Sequence, residues 1–214
     1  RYNGTSICHG DTEHIKIKRK TDRQGIDVYI SKEAQGEQVH IPVVLAVPGM
    51  TDIVYNDFYI EEGADVTIVA GCGIDNARHD GIHAFHVGKH ANVRYEEKHY
   101  GEGEGTGEKI LNPVTEIDLE EGAVFTLDTA QIRGVDSTVR KTRVRMKENS
   151  RLYVTERLMT HDAQTAVSDI DVEMNGAGTN AQIISRSVAK GTSKQNFHPR
   201  AIGNAACHAH IQCD

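Results

Sequence analysis

Glu61-Glu62-Gly63-Ala64-Asp65-Val66-Thr67-Ile68 is the phrase that decides the fold, because the chain returns to it. Val87-Gly88-Lys89-His90-Ala91-Asn92-Val93-Arg94-Tyr95 echoes it, as do Glu120-Glu121-Gly122-Ala123-Val124-Phe125-Thr126-Leu127 and Lys147-Glu148-Asn149-Ser150-Arg151-Leu152-Tyr153-Val154. Gly176-Ala177-Gly178-Thr179-Asn180-Ala181-Gln182-Ile183 is a looser copy. The small residue steps through 64, 91, 123, 150 and 179, at intervals of 27, 32, 27 and 29. Each copy is a turn with a Gly or Asn that tolerates a left-handed backbone, followed by an alternating apolar strand.

Intervals of this length suit one solenoid coil, or a pair of short coils, that buries its inner face only against its neighbours. A sandwich would also give short alternating strands but no reason for the turn phrase to recur. Helical periodicity is scarce. The expected fold is therefore all-β, a β-helix or β-solenoid over residues 31–214, with residues 1–30 as an N-terminal edge segment carrying Lys16, Lys18, Arg19 and Lys20. The chain opens at Arg1 without a methionine and stops at Asp214 after an alternating run, which reads as a piece of a longer protein.

With 24 Lys+Arg against 31 Asp+Glu, the 214 residues carry a formal charge of −7, which argues against a nucleic-acid partner. Mean hydropathy is −0.48, and no run approaches the roughly 18–20 apolar residues of a membrane helix, so no membrane role is expected. Cys8, Cys72, Cys207 and Cys213 are too few and too scattered for a disulfide framework, and there is no signal segment, which points to the cytoplasm. The absence of Trp and an aromatic content of 5% disfavour a carbohydrate-active β-helix enzyme.

Several stretches invite chemistry. Gly101 to Gly107 lacks the Gly-Lys-Ser/Thr ending of a phosphate loop and reads as a surface excursion. Arg140, Lys141, Arg143, Arg145 and Lys147 form a basic strand, with Lys141, Arg143 and Arg145 on one face, read as a solvated or acidic-partner-facing surface. His79-Asp80-Gly81-Ile82-His83 resembles HExxH but has Asp for Glu and a glycine where a helix is needed, so its histidines read as core or turn residues. His83 and His86 differ in parity and would face opposite sides of a strand. At the end, Cys207, Ala209, Ile211 and Cys213 share one strand face while His208, His210 and Gln212 share the other. Cys207 and Cys213 then stand about 20 Å apart and cannot share one metal. A site at Cys213 must borrow ligands from a neighbouring coil, from residues beyond 214 or from a second chain. His208-x-His210 also permits a cupin-like or other β-fold metal site as the alternative reading.

A longer set of motifs resembles one family. Gly71-Cys72-Gly73, Arg78 to His83, Val87-Gly88-Lys89, Glu97-Lys98-His99-Tyr100-Gly101-Glu102-Gly103, Gln131-Ile132-Arg133-Gly134, Thr155 to His161, Ser185 to Lys190, Gly203-Asn204-Ala205 and Gln212-Cys213-Asp214 are similar to the SufB/SufD scaffold proteins of the Suf iron–sulfur cluster assembly system. The resemblance runs from the first repeat to the end. It implies a right-handed parallel β-helix, a transiently held iron–sulfur cluster, a SufC-like ABC-type ATPase partner that carries the turnover, a sulfur donor protein, and pairing as a homodimer or a SufB/SufD-type heterodimer. It also implies Cys213, in the Gln-Cys-Asp motif, as sulfur acceptor or cluster ligand, a thiolate being both nucleophile and soft ligand. Cys72, Cys207, His208 and His210 are second-rank candidates. Family relatives carry a longer insertion between Gly73 and His79, so here either the loop is short or residues are missing.

Overall fold

The computed structural model describes residues 1–7, 10–101 and 108–214. Cys8 and the Glu102–Gly107 part of the glycine-rich excursion lie outside the described residues. The described chain is all β with no helix. In chain order its strands begin with Ile15–Arg19 (β1), Gly25–Ile30 (β2), Gln35–Leu45 (β3), Thr51–Ile60 (β4) and Asp65–Ile74 (β5). Arg78–Val87 (β6), Asn92–Gly101 (β7), Ile110–Leu111 (β8), Val114–Leu119 (β9), Val124–Gln131 (β10) and Ser137–Met146 (β11) follow. Arg151–Thr160 (β12), Thr165–Met174 (β13), Thr179–Ala189 (β14), Lys194–Gly203 (β15) and Cys207–Cys213 (β16) complete the series.

From β2 onward successive strands alternate between two sheets, with β8 and β9 together filling one level of the second. One sheet has the order β16-β14-β12-β10-β7-β5-β3; the other runs β1-β2-β4-β6-β8-β11-β13-β15, with β9 beside β8 between β6 and β11. All these pairings are parallel except β1 on β2. The chain is thus a stacked-coil β-solenoid of about seven turns, as the repeated phrase predicts. Each phrase copy opens a strand of the first sheet, so one interval is one full coil. The long interval of 32 contains the excursion between β7 and β8. Between Gly73 and His79 the chain closes the corner with Asp75, Asn76 and the buried Ala77, Asn76 taking φ 48°.

The turn phrase now has a physical account. Gly63, His90, Gly122, Asn149 and Gly178 all take positive φ, between 56° and 73°. Each N–H donates to a carbonyl in the turn of the next coil: Lys89, Glu121, Glu148, Ala177 and Ala206 respectively. The following small residues, Ala64, Ala91, Ala123, Ser150 and Thr179, are buried beneath the next coil. Inside, identical registers stack apolar residues into files such as Val66, Val93, Phe125, Leu152 and Ala181. Phe85 lies face to face with Phe58 at 4.5 Å and edge-on to Phe125 at 5.1 Å, an aromatic stack within the apolar core.

The stacked turns predict opposite outcomes for two neighbouring substitutions. A Cβ on Gly122 would lie 2.3 Å from His90 Nδ1 on a left-handed backbone, so Gly122→Ala is expected to cost about 1–2 kcal/mol. His90→Gly relieves a non-glycine left-handed residue and is expected to be neutral or stabilising by less than about 1 kcal/mol. Urea unfolding of both variants checks the pair.

Candidate functional site

The interior is divided lengthwise. Opposite the phenylalanine stack, inward positions of the first sheet form the file Ile41, Ala70, Glu97, Thr129, Glu156, Ser185 and Cys213. Beside it runs Val43, Cys72, His99, Gln131, Leu158 and Ser187. Asp52, Asn56, His79, His83, Arg140 and Ser168, all buried, face these files from the second sheet. A polar seam therefore runs inside the solenoid between a large apolar cluster around the phenylalanines and a smaller one that includes Val43, Leu45, Ile74 and Leu111.

Its members are joined by hydrogen bonds. Asn56 Nδ2 donates to His83 Nε2 (3.3 Å), His83 Nδ1 donates to the Tyr95 hydroxyl (2.5 Å), and that hydroxyl donates to Glu97 Oε1 (3.0 Å). Arg140 closes an ion pair with Glu97 and lies 3.3 Å from His99 Nδ1. Its Nε is 3.5 Å from Glu156 Oε2. Ser168 Oγ donates to Glu156 Oε2 (2.7 Å) and Ser185 Oγ to Glu156 Oε1 (2.9 Å). Farther along, Arg1 Nη2 and His79 Nδ1 both reach Asp52, at 2.6 and 3.2 Å. Between the His–Glu cluster and Cys72 lies an enclosed cavity of ≈ 20 Å³, about the room of one water. Gly81 keeps it open, since a Cβ there would sit 3.1 Å from His79 Nε2 and 3.5 Å from His83 Nε2.

Burial sets the protonation of this seam. It pushes His83 down to about 4 and lowers His99 against the pull of Glu97, so both rings are neutral at pH 7. It also opposes the charge on Glu97, yet His99 and the Arg140 guanidinium together hold that carboxyl well below the usual range. Burial raises the Cys72 thiol, with Glu97 and Asp52 adding to the effect. Cys72 is thus an inert thiol in the wall of the seam.

At the other end the seam opens. On β16 the register aligns Cys207, Ala209, Ile211 and Cys213 with the buried Thr179, Ala181, Ile183 and Ser185, so these four share one face, as their alternation predicts, and that face is the inward one. They belong to the outermost coil and are solvent-exposed. Cys213 and Ile211 line a broad hollow of ≈ 980 Å³ with Phe197 and Pro199. Cys207 is a free thiol at the opposite end of the strand, against Gly203. His208 and His210 project outward beside Asn180 and Gln182. Cys72 is five strands away in the same sheet. Among the described residues no three His, Cys, Asp or Glu side chains converge closely enough to hold a metal ion.

The profile described as SUF system FeS cluster assembly, SufBD core domain, matches residues 82–212, well over half of the chain. The chain belongs to the SufB/SufD family. Its role lies in Suf iron–sulfur cluster assembly. The matched stretch runs from within β6 to the penultimate residue of β16 and so contains most of the polar seam. No curated protein matches the chain as a relative. The cupin-like alternative loses its fold, because the strands form parallel coils and not an antiparallel jelly roll.

One sequence expectation needs correction. Arg140 is not part of a solvated basic strand: Lys141, Arg143 and Arg145 are exposed, but Arg140 has inward parity and is buried between two glutamates. Glu97, Arg140 and Glu156 form a buried triad that the sequence reading missed, although each shares parity with buried apolar neighbours on its own strand. The histidines sort as expected: His79 and His83 are inward, His86 outward and His90 in a turn.

Two outcomes follow for the seam. Arg140→Met strands Glu97 as an unpaired buried charge and is expected to cost about 3–5 kcal/mol in urea unfolding. His83 has a folded pKa below its unfolded value of 6.5, so the unfolded chain takes up the proton first as pH falls. Stability should be fully present above about pH 6.5 and decline toward pH 4, by up to ~1.4 kcal/mol per pH unit for this residue. Urea midpoints across that window should fall in the native protein and fall less steeply in His83→Gln.

Proposed function

We propose that this chain is a scaffold subunit on which an iron–sulfur cluster is assembled, with Cys213 as sulfur acceptor or cluster ligand. The observation that carries the reading is the free, exposed Cys213 thiol on the inward row of the open coil, in a family devoted to cluster assembly. A thiolate accepts persulfide sulfur as a nucleophile and binds iron as a soft ligand. Cys72 is buried and protonated and is a poor acceptor. The remaining cluster ligands come from a second SufB/SufD-type chain, the same or different, packed on this end of the solenoid.

In this reading the scaffold has no turnover of its own. It works in the cytoplasm with a SufC-like ABC-type ATPase that supplies nucleotide hydrolysis and with a sulfur donor protein. The alternative, a mononuclear metal at His208 and His210, is supported only by their shared outward face.

Anaerobic reconstitution with iron and sulfide tests the assignment. Cys213→Ser should leave folding nearly unchanged, since the position is exposed, and should remove most of the bound iron and acid-labile sulfide. Cys207→Ser, on the same face but about 20 Å away, should retain them. Equal, native-like iron and sulfide in both variants would contradict the role of Cys213.

A further inference from the structure

The outer face of the first sheet carries an apolar stripe that neither the core nor Cys213 uses. Met159 on β12 and Val188 on β14 are in-register partners. One coil back, Ile132 follows β10 directly, after Gln131, whose partners His99 and Leu158 directly precede Tyr100 and Met159. Tyr100 on β7 pairs in turn with Gly73, and Gly73 with the exposed Val44. Tyr100, Ile132, Met159 and Val188 are between 40% and 55% exposed, and they occupy four consecutive coils. Single exposed apolar residues are ordinary on a protein surface. The same level filled on four successive coils is a contiguous patch, and such patches mark interaction surfaces.

A basic row runs beside the stripe. Two residues earlier on the same face stand Lys98, Ala130, Arg157 and Arg186, in register with one another. On β7 and β10 the charges of this face are matched: Arg94 pairs with Glu96 and Asp128, and Lys98 lies 3.8 Å from Glu96. At Arg157 the matching stops. This exposed arginine has no ion-pair partner among the described residues, and its neighbours across the sheet are Ala130 and Arg186. Like charges on adjacent strands repel. Arg186 has only the exposed Asp214, 3.8 Å from its Nε, a contact that offsets little of this repulsion.

We propose that this stripe docks an amphipathic α-helix of another protein, one whose apolar ridge is flanked on one side by carboxylates. Three strand spacings of about 4.8 Å separate Tyr100 from Val188, so the stripe spans about 14 Å along the solenoid axis. A helix advances about 5.4 Å per turn, so apolar residues at i, i+4, i+7 and i+11 meet the four coils in turn. The basic row lies about 7 Å to one side, under that flank of the helix, where carboxylates would meet Lys98, Arg157 and Arg186. A strand does not fit, because β7, β10, β12 and β14 are each paired on both sides and have no free edge to offer. A basic helix does not fit either. The chain's overall charge of −7 would draw it in, but at contact distance the arginines decide, since exposed charges beyond about 10 Å are largely screened. Nothing in this inference depends on Cys213 or on a bound cluster.

Fluorescence anisotropy on the whole protein tests the surface, with a labelled helical peptide of about 18 residues carrying Leu on one face and Glu along one flank. Saturable binding is expected, weakened about tenfold or more by Met159→Glu, which places a charge in the middle of the stripe. Arg157→Glu should weaken the Glu-flanked peptide about fivefold or more and should improve binding of the same peptide with Lys in place of Glu. Lys141→Glu, at an exposed position on the outer face of the other sheet, should leave both peptides unchanged. Met159 and Arg157 are exposed, so both variants should keep the native circular dichroism spectrum. Should Met159→Glu fail to fold, the exchange of peptide preference by Arg157→Glu decides alone. No binding of the Glu-flanked peptide, equal binding of both peptides to the native protein, or a Lys141→Glu effect as large as that of Arg157→Glu overturns the inference. So does light scattering that shows a native dimer made monomeric by Met159→Glu, because the stripe would then be covered by a second copy of this chain.

Discussion

In-register stacking of parallel coils is the constraint on which the rest of this structure depends. Every inward side chain rests on its equivalent one strand spacing away, so the chain must repeat shape at each level or supply a partner where it does not. The left-handed turn meets this demand at the corners by handing its N–H to the next coil. The Phe58–Phe85 stack meets it on the apolar side, where like sits on like. On the polar side like cannot sit on like: Glu97 and Glu156 occupy the same file two coils apart. Thr129 separates them, and Arg140 reaches across from the other sheet to both. Without that guanidinium the seam would hold two buried carboxylates with no cation between them, supported only by the Tyr95, Ser168 and Ser185 hydroxyls, a large fraction of the stability of a chain of this size.

The same rule explains what could be read from sequence. A turn that must be repeated leaves its signature, which is why Gly63, Gly122 and the small residues after them were legible and why the coil length followed. Parity along a strand was equally legible: it separated His83 from His86 and set Cys207 and Cys213 on one face. Contacts between the two sheets left no such trace. Arg140 lies beside Lys141, Arg143 and Arg145 in sequence; its parity sets it apart from them, but its partner Glu97 lies 43 residues earlier and leaves no local signature. The strands of the second sheet carry no recurring phrase, so nothing in the sequence indicates which of their residues meet Glu97, Glu156 or Cys72. The inward charges at 97, 140 and 156 were the available signal, visible as violations of apolar alternation.

The seam also bears on how a rigid solenoid can serve cluster assembly. Neutral histidines, an ion-paired triad and a protonated Cys72 are locked in the closed coils, while the same file reaches solvent at Cys213 in the last one. In the proposed role of Cys213, stability and chemistry are separated along one axis: the closed coils fix the position of the sulfur and a second chain completes its environment. This division suits the proposed scaffold role, in which a guest is held at Cys213 without disturbing the core.

Iron K-edge absorption of the anaerobically loaded native protein tests the central claim most directly, because it separates a cluster from a metal merely bound. The account predicts an iron first shell dominated by sulfur together with iron–iron scattering. A first shell of nitrogen and oxygen alone, as mononuclear binding at His208 and His210 would give, contradicts it.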